Sequence, residues 1–400
     1  MLGWEYPPFY AGGLGIACQG LIESLKDKVS QINFCLPLAK NQSSEIVEFG
    51  NVKIIPALKK RSSSQFSEAE HYYTQTYKTS LVYDSISKKY INESFTQLSK
   101  EIHSFSEEIA NLAEELDFDI IHAHDWLTYL AGVRVKEKTG KPLVVHVHAT
   151  FYDQAGANKD DGNEQVQVEK LGFEKADKIV AVSNYTKNIL QNHYGIDSSK
   201  VEVVHNAAPI DISLDKTFMK NKPFKKLVLF LGRVTLQKGP LQFVWTAKKV
   251  LDVDPDVMFM VAGAGDMLHE VMEETARLGI AEHFIFSGFV TRDKIKDIFK
   301  MANIYVCSSI SEPFGIVPFE ALQNGTPVIL SKQSGVSEVI THCCKVDFWD
   351  IDETANYILS ILKYPELEQE MRVNGWNEVS HSSWEKAANE CREIYNSVVK

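Results

Sequence analysis

The chain has 400 residues, which is too long for one ordinary domain and suits two. Hydrophobic residues make up 44% and charged residues 24%, a composition typical of globular rather than disordered proteins. No apolar run approaches the roughly 18–20 residues that span a bilayer, so no transmembrane helix is expected. The chain begins without basic residues and contains early prolines and glycines, so we expect no signal peptide.

The net charge is −11, from 42 basic and 53 acidic residues, and both halves of the chain are acidic. Such a surface disfavours nucleic acid and strongly anionic membranes as partners. The six cysteines form no CxxC pair, and adjacent Cys343 and Cys344 suit neither a zinc site nor an ordinary disulfide. We therefore expect free thiols and a cytoplasmic location.

Short apolar runs alternate with longer amphipathic stretches along the whole chain. The runs consist mostly of Val, Ile, Leu or Phe without polar alternation, which is typical of strands buried on both faces of a parallel sheet. In chain order they are 33–36, 52–55, 120–123, 143–147, 179–182, 201–204, 227–231, 257–262, 284–286, 304–306, 327–330 and 345–348.

The stretches between these runs show helical periodicity. The clearest example places apolar residues three or four positions apart from Leu98 to Leu116, with glutamates mainly on the other side. A second apolar stripe runs from Trp384 to Val398 and predicts a final helix. Strand–helix alternation in both halves predicts an α/β protein with two doubly wound, Rossmann-like domains.

Three segments depart from this pattern. The periodicity lapses between Ala208 and Leu227, so we expect domains at 1–208 and 227–378, a linker at 209–226 and the final helix within 379–400. Segment 42–92 has a weak pattern and is interpreted as an insertion. Only Met1 and Leu2 precede the first glycine, so we expect either a short first strand or a late start.

The first candidate site is the glycine-rich segment containing Gly12, Gly13 and Gly15, which follows the short first strand and precedes a helix. Glycines let the backbone approach a ligand closely, and a helix N-terminus offers free N–H groups to an anion. The alternative is a plain strand-to-helix turn without a ligand.

A second candidate site contains Arg233 and Lys238, which lie just past the carboxyl end of an apolar run. Open α/β sheets bind ligands at this end of their strands. Two cations there could hold a diphosphate group, although ordinary surface positions remain the alternative.

The most informative segment runs from Ser311 to Leu322 and contains Glu312 and Glu320. Pro313 favours an extended conformation for the residue before it, and Pro318 suits the first turn of a helix. A carboxylate at either position could accept hydrogen bonds from hydroxyl groups. The alternatives are a surface loop acid for Glu312 and helix-end charge compensation for Glu320.

Polar residues also follow two apolar runs of the first half. His122, His124 and Asp125 follow one, and His146 and His148 follow the other. Because residues two apart on a strand share a face, the histidines could form a metal site. We expect no metal there, since a family resemblance accounts for these residues better.

These motifs resemble the retaining glycosyltransferases of family 4, the glycogen-synthase-like group with the GT-B fold. The matching pieces occur in the family's order and cover nearly the whole chain. They are the loop 12–15, His124-Asp125-Trp126, Val147-His148, Ser183-Asn184-Tyr185, His205-Asn206, Gly232-Arg233 with Lys238-Gly239, and Glu312 with Glu320. The spacing of the two glutamates, together with the Gly-Arg and Lys-Gly pairs, is the most specific part of the match.

The resemblance implies two Rossmann-like domains facing a cleft, with the segment 379–400 packed on the first domain. It implies that Arg233 and Lys238 bind the diphosphate of a nucleotide-sugar donor. Glu312 and the backbone N–H groups of Phe314, Gly315, Ile316 and Val317 would hold the sugar. Glu320 would bind the ribose, and the base would lie near Phe289 and Val290.

On the acceptor side, the resemblance implies that His148 faces the reacting centre and that Asp125 lies near the acceptor. The expected reaction is the transfer of a hexose to a hydroxyl acceptor with retention of configuration and without a bound metal or other cofactor. Alternatives are a sugar-nucleotide epimerase on the same fold and a non-catalytic nucleotide-sugar-binding subunit.

The sequence departs from the family pattern at two places. Glycogen and starch synthases carry a lysine where this chain has Ala11, which argues against elongation of a glucan from ADP-glucose. Residues 151–154 also differ from those of close relatives, so the acceptors of relatives are not carried over to this chain. Segment 153–163 is rich in Gly, Asn and Asp, and we expect it to be mobile.

Overall fold

The computed structural model describes residues 1–7, 12–37, 46–57, 87–154, 163–207, 225–380 and 382–399, with side chains from residue 98 onward in the helix that begins at Ser87. The expected linker lies outside these ranges except for its last two residues, as does most of the segment 42–92. The chain divides into two compact units. Unit 1 comprises Met1–Pro209 with Ser383–Lys400, and unit 2 comprises Ile210–Ser382.

Unit 1 is built from short buried strands and the helices that connect them. Its strands are β1 (Ile32–Leu36), β2 (Val47–Phe49), β3 (Val52–Pro56), β4 (Ile121–His124), β5 (Leu143–Val147), β6 (Lys178–Ala181) and β7 (Val201–Val203). Its helices up to the end of β7 are α1 (Gly13–Leu25), α2 (Ser87–Leu112), α3 (Trp126–Thr139), α4 (Phe151–Gln154), α5 (Glu164–Lys175) and α6 (Asn184–Tyr194).

The strands of unit 1 form two groups that meet at Leu2. Strands β4, β5, β6 and β7 are parallel neighbours in that order, and β1 pairs in parallel with β3. Leu2 bridges the groups, since it pairs with Cys35 on β1 and with Ala123 on β4.

Strand β2 was not predicted. It pairs antiparallel with β3, and its side chains are largely exposed, so it lacks the apolar run of the other strands.

Unit 2 contains one six-stranded parallel sheet. Its strands are β8 (Leu227–Leu231), β9 (Met258–Ala262), β10 (Phe284–Gly288), β11 (Ile304–Cys307), β12 (Val328–Ser331) and β13 (Cys344–Val346). The strand order is β10-β9-β8-β11-β12-β13, so the chain starts in the middle and builds outward on both sides. The helices are α7 (Pro240–Leu251), α8 (Leu268–Arg277), α9 (Arg292–Met301), α10 (Val317–Gln323), α11 (Ile351–Lys363) and α12 (Pro365–Ser380).

The final helix, α13 (Trp384–Val398), belongs to unit 1 rather than to the unit that precedes it in the chain. It packs closely on α1, where a Cβ atom at Gly20 would lie 2.3 Å from the Trp384 ring. Tyr395 reaches β4, with its hydroxyl 2.5 Å from the Nδ1 atom of His122. Removing the glycine or the hydroxyl would therefore disturb a buried helix contact.

The predicted fold class is confirmed. Each apolar run coincides with a strand to within about two residues, and both units have the parallel, helix-covered sheets of Rossmann-like domains. Among the described residues, no helix combines the length and the apolar character needed to cross a membrane.

The sheet of unit 1 has a gap beside Leu2, at the amino ends of β1 and β4. A cavity of about 380 Å³ lies there, and its walls include apolar residues such as Leu25, Ile109 and Val135. The amino group of Met1 donates to the backbone oxygen of Asn33 at 2.6 Å and is itself buried, which lowers its pKa.

An engineered extension of three Val or Ile residues before Met1 should fill this gap. It would replace a buried ammonium group by a peptide N–H and bury apolar side chains, each worth about 1.5–3 kcal/mol when fully buried. We expect a higher melting temperature, measured by differential scanning calorimetry. A Ser-Asn-Ser extension is the control, and equal melting temperatures for the two extended proteins would contradict the prediction.

Candidate active site

In unit 2, the loops after β8, β9 and β10 are joined by backbone hydrogen bonds at the carboxyl end of the sheet. Gly232 N donates to Ala262 O at 3.0 Å, and Gly263 N donates to Gly288 O at 2.9 Å. A Cβ atom at Gly263 would lie 1.8 Å from Gly232 O, so only glycine permits this approach. The loop that carries Arg233 is therefore held from one side by its neighbours.

The loop after β8 is also held from the other side, by the loop after β11. Gly239 adopts φ +63°, and a Cβ atom there would lie 2.0 Å from Ser308 O. Ile310 N donates to Gln237 O at 2.9 Å. These contacts place Lys238, which ends a short 3-10 turn, next to the segment that contains Glu312.

Lys238 and Glu312 form an ion pair through Nζ and Oε2. Only 9% of Glu312 is exposed, and Ser309 Oγ donates to the same carboxylate oxygen at 3.4 Å. The backbone of Glu312 pairs in parallel with Ser334, which gives the extended conformation predicted before Pro313. Two residues that the sequence assigned to one ligand thus lie together in the fold.

Glu320 lies in the first turn of α10, as Pro318 predicted. Its carboxylate is 9% exposed, and Oε1 lies 2.6 Å from Nη1 of Arg292, the first residue of α9. Burial raises the pKa of Glu320, while the nearby guanidinium acts in the opposite direction. Arg292 was not predicted from the sequence, because nothing in its spacing connects it to Glu320.

The other predicted residues of unit 2 surround these two pairs to different extents. Arg233 is half-buried, and its Nη2 donates to Gln237 Oε1 at 3.4 Å. Gly315 has φ +97°, the left-handed region in which glycine is favoured, and Phe314 is buried beside it. Ile316, Val317 and Val290 are partly buried, whereas Phe289 is 78% exposed. An exposed ring of this kind is available for stacking.

In unit 1, Asp125 lies directly after β4 and is the sole residue other than glycine with positive φ in the described part of the chain. Its φ of +60° costs energy that its buried contacts must offset. Oδ1 accepts hydrogen bonds from His148 N at 2.7 Å and from Ala149 N at 3.2 Å. Asp125 thereby fixes the backbone of the segment that carries His148.

The four histidines of β4 and β5 form an array of near-parallel imidazole rings. Ring centroids lie 4.3 Å apart both for His122 with His124 and for His146 with His148. His124 Nδ1 is 3.0 Å from His148 Nε2, and His146 Nδ1 is 3.2 Å from His122 Nε2. The imidazoles thus serve as hydrogen-bond partners for one another inside the protein.

Burial keeps this array uncharged. Desolvation lowers the pKa of His148 to about 3 and holds the pKa values of the other three well below their usual range. The nitrogens of His122, His124 and His146 lie within 4.8 Å of one another, close enough to be considered as metal ligands. Because most of these nitrogens already face a hydrogen-bond partner, the absence of a metal remains our prediction.

The glycine-rich segment differs from the expected loop. Helix α1 already begins at Gly13, and Gly12 is its N-cap. The carboxylate of Glu5, which the sequence analysis missed, accepts a hydrogen bond from Gly15 N at 3.1 Å. A buried carboxylate therefore occupies the helix end at which a phosphate was considered, and substrate binding by Gly12, Gly13 and Gly15 stays a prediction.

The segment after His148 is more ordered than expected at its start. Asp153 is 1% exposed, and its carboxylate accepts hydrogen bonds from the backbone N–H and the hydroxyl of Thr150, each at 2.8 Å. The expectation of mobility is therefore wrong for Asp153, and residues 155–162 lie outside the described residues. Glu169 is buried nearby on α5, where desolvation raises its pKa to about 8.

Comparison with known proteins shows which family models the two parts of the chain match. Residues 215–377 match the model described as glycosyl transferases group 1, and residues 71–212 match the model described as Glycosyltransferase Family 4. The chain is a glycosyltransferase of the GT-B fold.

Similar proteins match this glycosyltransferase over most of its length. An uncharacterised glycosyltransferase of Methanocaldococcus jannaschii is 27% identical over 86% of this chain and 82% of its own. Sucrose-phosphate synthase of Thermosynechococcus elongatus is 18% identical, with a TM-score of 0.74 over 99% of this chain and 97% of its own. The Anabaena protein HepE, solved with UDP and glucose, is 18% identical, with a TM-score of 0.65 over 99% and 98%.

The buried carboxyl of Asp125 gives a testable pH dependence. Burial raises its pKa to about 7, so its contribution to stability is fully present below the unfolded value near 3.9 and is lost as the pH rises through 7. Asp125→Asn retains a carbonyl acceptor for the two N–H groups and does not titrate. Relative to the wild type, its free energy of unfolding should therefore rise by about 2–3 kcal/mol between pH 5 and pH 8.

Thermal unfolding of both proteins at the two pH values measures this difference. Asp117→Asn is the matched control, since Asp117 is exposed and its replacement should produce no pH-dependent difference. A constant difference between Asp125→Asn and the wild type from pH 5 to pH 8 would show that the carboxyl is already ionised at pH 5.

Proposed function

We propose that this glycosyltransferase transfers a hexose, with glucose as the first candidate, from a nucleotide-diphosphate sugar to a hydroxyl acceptor with retention of configuration. This places it in the retaining, glycogen-synthase-like group that its motifs resemble. The six cysteines are free, which agrees with the reducing cytoplasm that we propose as its location. The complex of the HepE neighbour with UDP and glucose supports the choice of donor.

The observation that carries the proposal is the pairing of Lys238 with Glu312 at the carboxyl end of the unit 2 sheet. A donor sugar presents hydroxyl groups and a diphosphate within one molecule. The carboxylate of Glu312 can accept hydrogen bonds from the sugar hydroxyls, and the ammonium group of Lys238 can pair with the diphosphate. When a donor binds, these two contacts can replace the ion pair between Lys238 and Glu312. Arg233, on the same loop as Lys238, adds a second cation for the diphosphate.

In the proposed reaction, the bond between the anomeric carbon and the diphosphate oxygen breaks as the acceptor oxygen attacks from the same face. The acceptor proton passes to the leaving diphosphate, and positive character develops on the sugar ring. Glu312 stabilises that charge, and Lys238 with Arg233 stabilises the departing diphosphate. Backbone N–H groups from Phe314 to Val317 hold the sugar, and Glu320 holds the ribose.

Unit 1 supplies the acceptor-side residues in this proposal. His148 contacts the sugar as an uncharged imidazole, because burial keeps its pKa far below neutral pH. Asp125 acts mainly by fixing the backbone of His148 through the two hydrogen bonds to Oδ1. The acceptor itself is a molecule with a free hydroxyl group.

On the donor side, in unit 2, Phe289 and Val290 provide the surface against which the nucleotide base lies.

The two glutamates should have different kinetic effects. Glu312 is proposed to contact the sugar where charge develops, so Glu312→Gln should lower kcat by at least ~10²-fold, about 2.7 kcal/mol of barrier. Glu320 is proposed to contact the ribose, which is bound alike in the ground and transition states. Glu320→Gln should therefore raise the donor KM and change kcat by less than ~10-fold.

Steady-state kinetics of donor consumption measure both effects. Lys238→Ala is a companion variant that should resemble Glu312→Gln, because it removes a charge from the leaving group. If Glu320→Gln lowers kcat more than Glu312→Gln does, the assigned roles are wrong. Full activity of both variants would reject the site.

Donor chemistry separates the proposal from its alternatives, neither of which the comparisons favour. Incubation with labelled UDP-glucose or ADP-glucose should yield transferred or hydrolysed sugar. An epimerised donor would indicate an epimerase, and binding without turnover would indicate a non-catalytic subunit.

EDTA should leave the activity unchanged, because side chains neutralise the diphosphate in this mechanism. Loss of activity in EDTA, restored by a divalent metal, would contradict this part of the proposal.

A further inference from the structure

The ion pair between Arg292 and Glu320 joins the starts of two helices. Arg292 is the first residue of α9, where the partial positive charge of the helix end makes a cation unfavourable. Its side chain is 47% exposed and reaches Oε1 of Glu320 at 2.6 Å. An arginine at an unfavourable helix position, turned toward one buried carboxylate, requires an explanation beyond surface charge.

Glu320 has more need of a cation than a surface carboxylate has. Only 9% of its side chain is exposed, so water solvates it poorly, and an unpaired buried carboxylate takes up a proton instead of remaining charged. A protonated carboxyl accepts hydrogen bonds from hydroxyl groups much less well than a carboxylate does. The ionisation of Glu320 therefore matters for the role that it has in the proposed function.

Within the part of the chain that the structure describes, the other groups around Glu320 provide no second cation. Tyr305 on β11 is buried and stays uncharged, because desolvation raises its pKa well above the usual value. Helix α12 packs against α10, but its buried Arg372 pairs with Glu368 of the same helix at 2.5 Å. Among the described residues, Arg292 is the cation that acts on the pKa of Glu320.

We propose that Arg292 is a positioning residue that keeps Glu320 ionised and oriented for the ribose of the donor. A carboxylate can accept up to about four hydrogen bonds, so one guanidinium leaves room for the two ribose hydroxyls. Arg292 thus acts on donor binding through Glu320 rather than by direct contact. The inference rests on the proposed function for the identity of the ligand.

The test measures UDP binding by isothermal titration calorimetry at pH 6 and pH 8.5. Arg292→Gln should weaken binding severalfold more at pH 6 than at pH 8.5, because loss of the cation raises the pKa of Glu320 further and leaves a larger fraction of the carboxyl protonated at the lower pH. Arg292→Lys restores a cation, so its affinity for UDP relative to the wild type should be the same at both pH values. Lys294→Gln, which removes an exposed charge from the same helix, is the matched control and should behave as the wild type.

A double variant decides whether Arg292 acts through Glu320. Glu320→Gln should weaken UDP binding equally at both pH values, and adding Arg292→Gln should change the affinity by less than about twofold. Additive losses in the double variant would overturn the proposal, since they would show a direct contact between Arg292 and the donor. Equal weakening of Arg292→Gln at both pH values would overturn it as well.

A measurement without ligand separates this inference from the donor assignment. If the wild type binds neither UDP nor ADP, the donor site of the proposed function is wrong. Thermal unfolding still tests the pairing, because an unpaired buried carboxyl loses its stabilising contribution as the pH rises through its raised pKa. Relative to the wild type, Arg292→Gln should therefore lose more free energy of unfolding at pH 8.5 than at pH 6. The double variant that also carries Glu320→Gln should show no such difference between the two pH values. An unchanged difference would overturn the role of Arg292.

Discussion

Burying a carboxylate in this protein requires a donor or a cation for it, and the candidate residues of each unit meet that requirement. Without such partners, an ionised carboxylate in a protein interior costs several kcal/mol and takes up a proton instead. Four of the buried acids meet this requirement in two ways. Glu312 and Glu320 have cationic side chains, whereas Glu5 and Asp125 accept hydrogen bonds from backbone N–H groups.

The two solutions have different consequences for ligand binding. A backbone N–H group is fixed by the fold, so Asp125 and Glu5 mainly hold chain segments in place. A lysine or arginine side chain can move to another anion, so the pairs in unit 2 can be exchanged for a ligand. In the proposed function, Asp125 and Glu5 therefore hold chain segments in unit 1, whereas Glu312 and Glu320 are the acids available to a substrate in unit 2.

Much of the fold could be predicted from the sequence, because parallel strands buried on both faces leave unbroken apolar runs. Strand β5 is fully buried along all five residues, and its bounds were predicted without error. Strand β2 could not be found this way, since its exposed side chains follow no apolar pattern. The helix beginning at Gly13 also extends further toward the glycine-rich segment than expected, because glycines mask the periodicity there.

Candidate residues could be predicted where each partner lies in a motif of its own, and they were missed where a partner lies outside any motif. Glu312 and Lys238 belong to motifs with recognisable spacing. Arg292 and Glu5 do not, because their contacts depend on how loops and helices pack. Tertiary packing also decides charge: neither the raised pKa of Asp125 nor the low pKa of His148 can be inferred from spacing, since burial causes both.

The return of α13 to unit 1 affects how the protein is made. Unit 2 is one continuous segment, so it can fold as soon as it has left the ribosome. Unit 1 cannot be completed then, because the helix that covers α1 and bonds to His122 is synthesised after all of unit 2. The apolar surface of α1 must stay exposed during that interval. The order of synthesis therefore completes unit 2 before unit 1, although unit 1 contains the first residues of the chain.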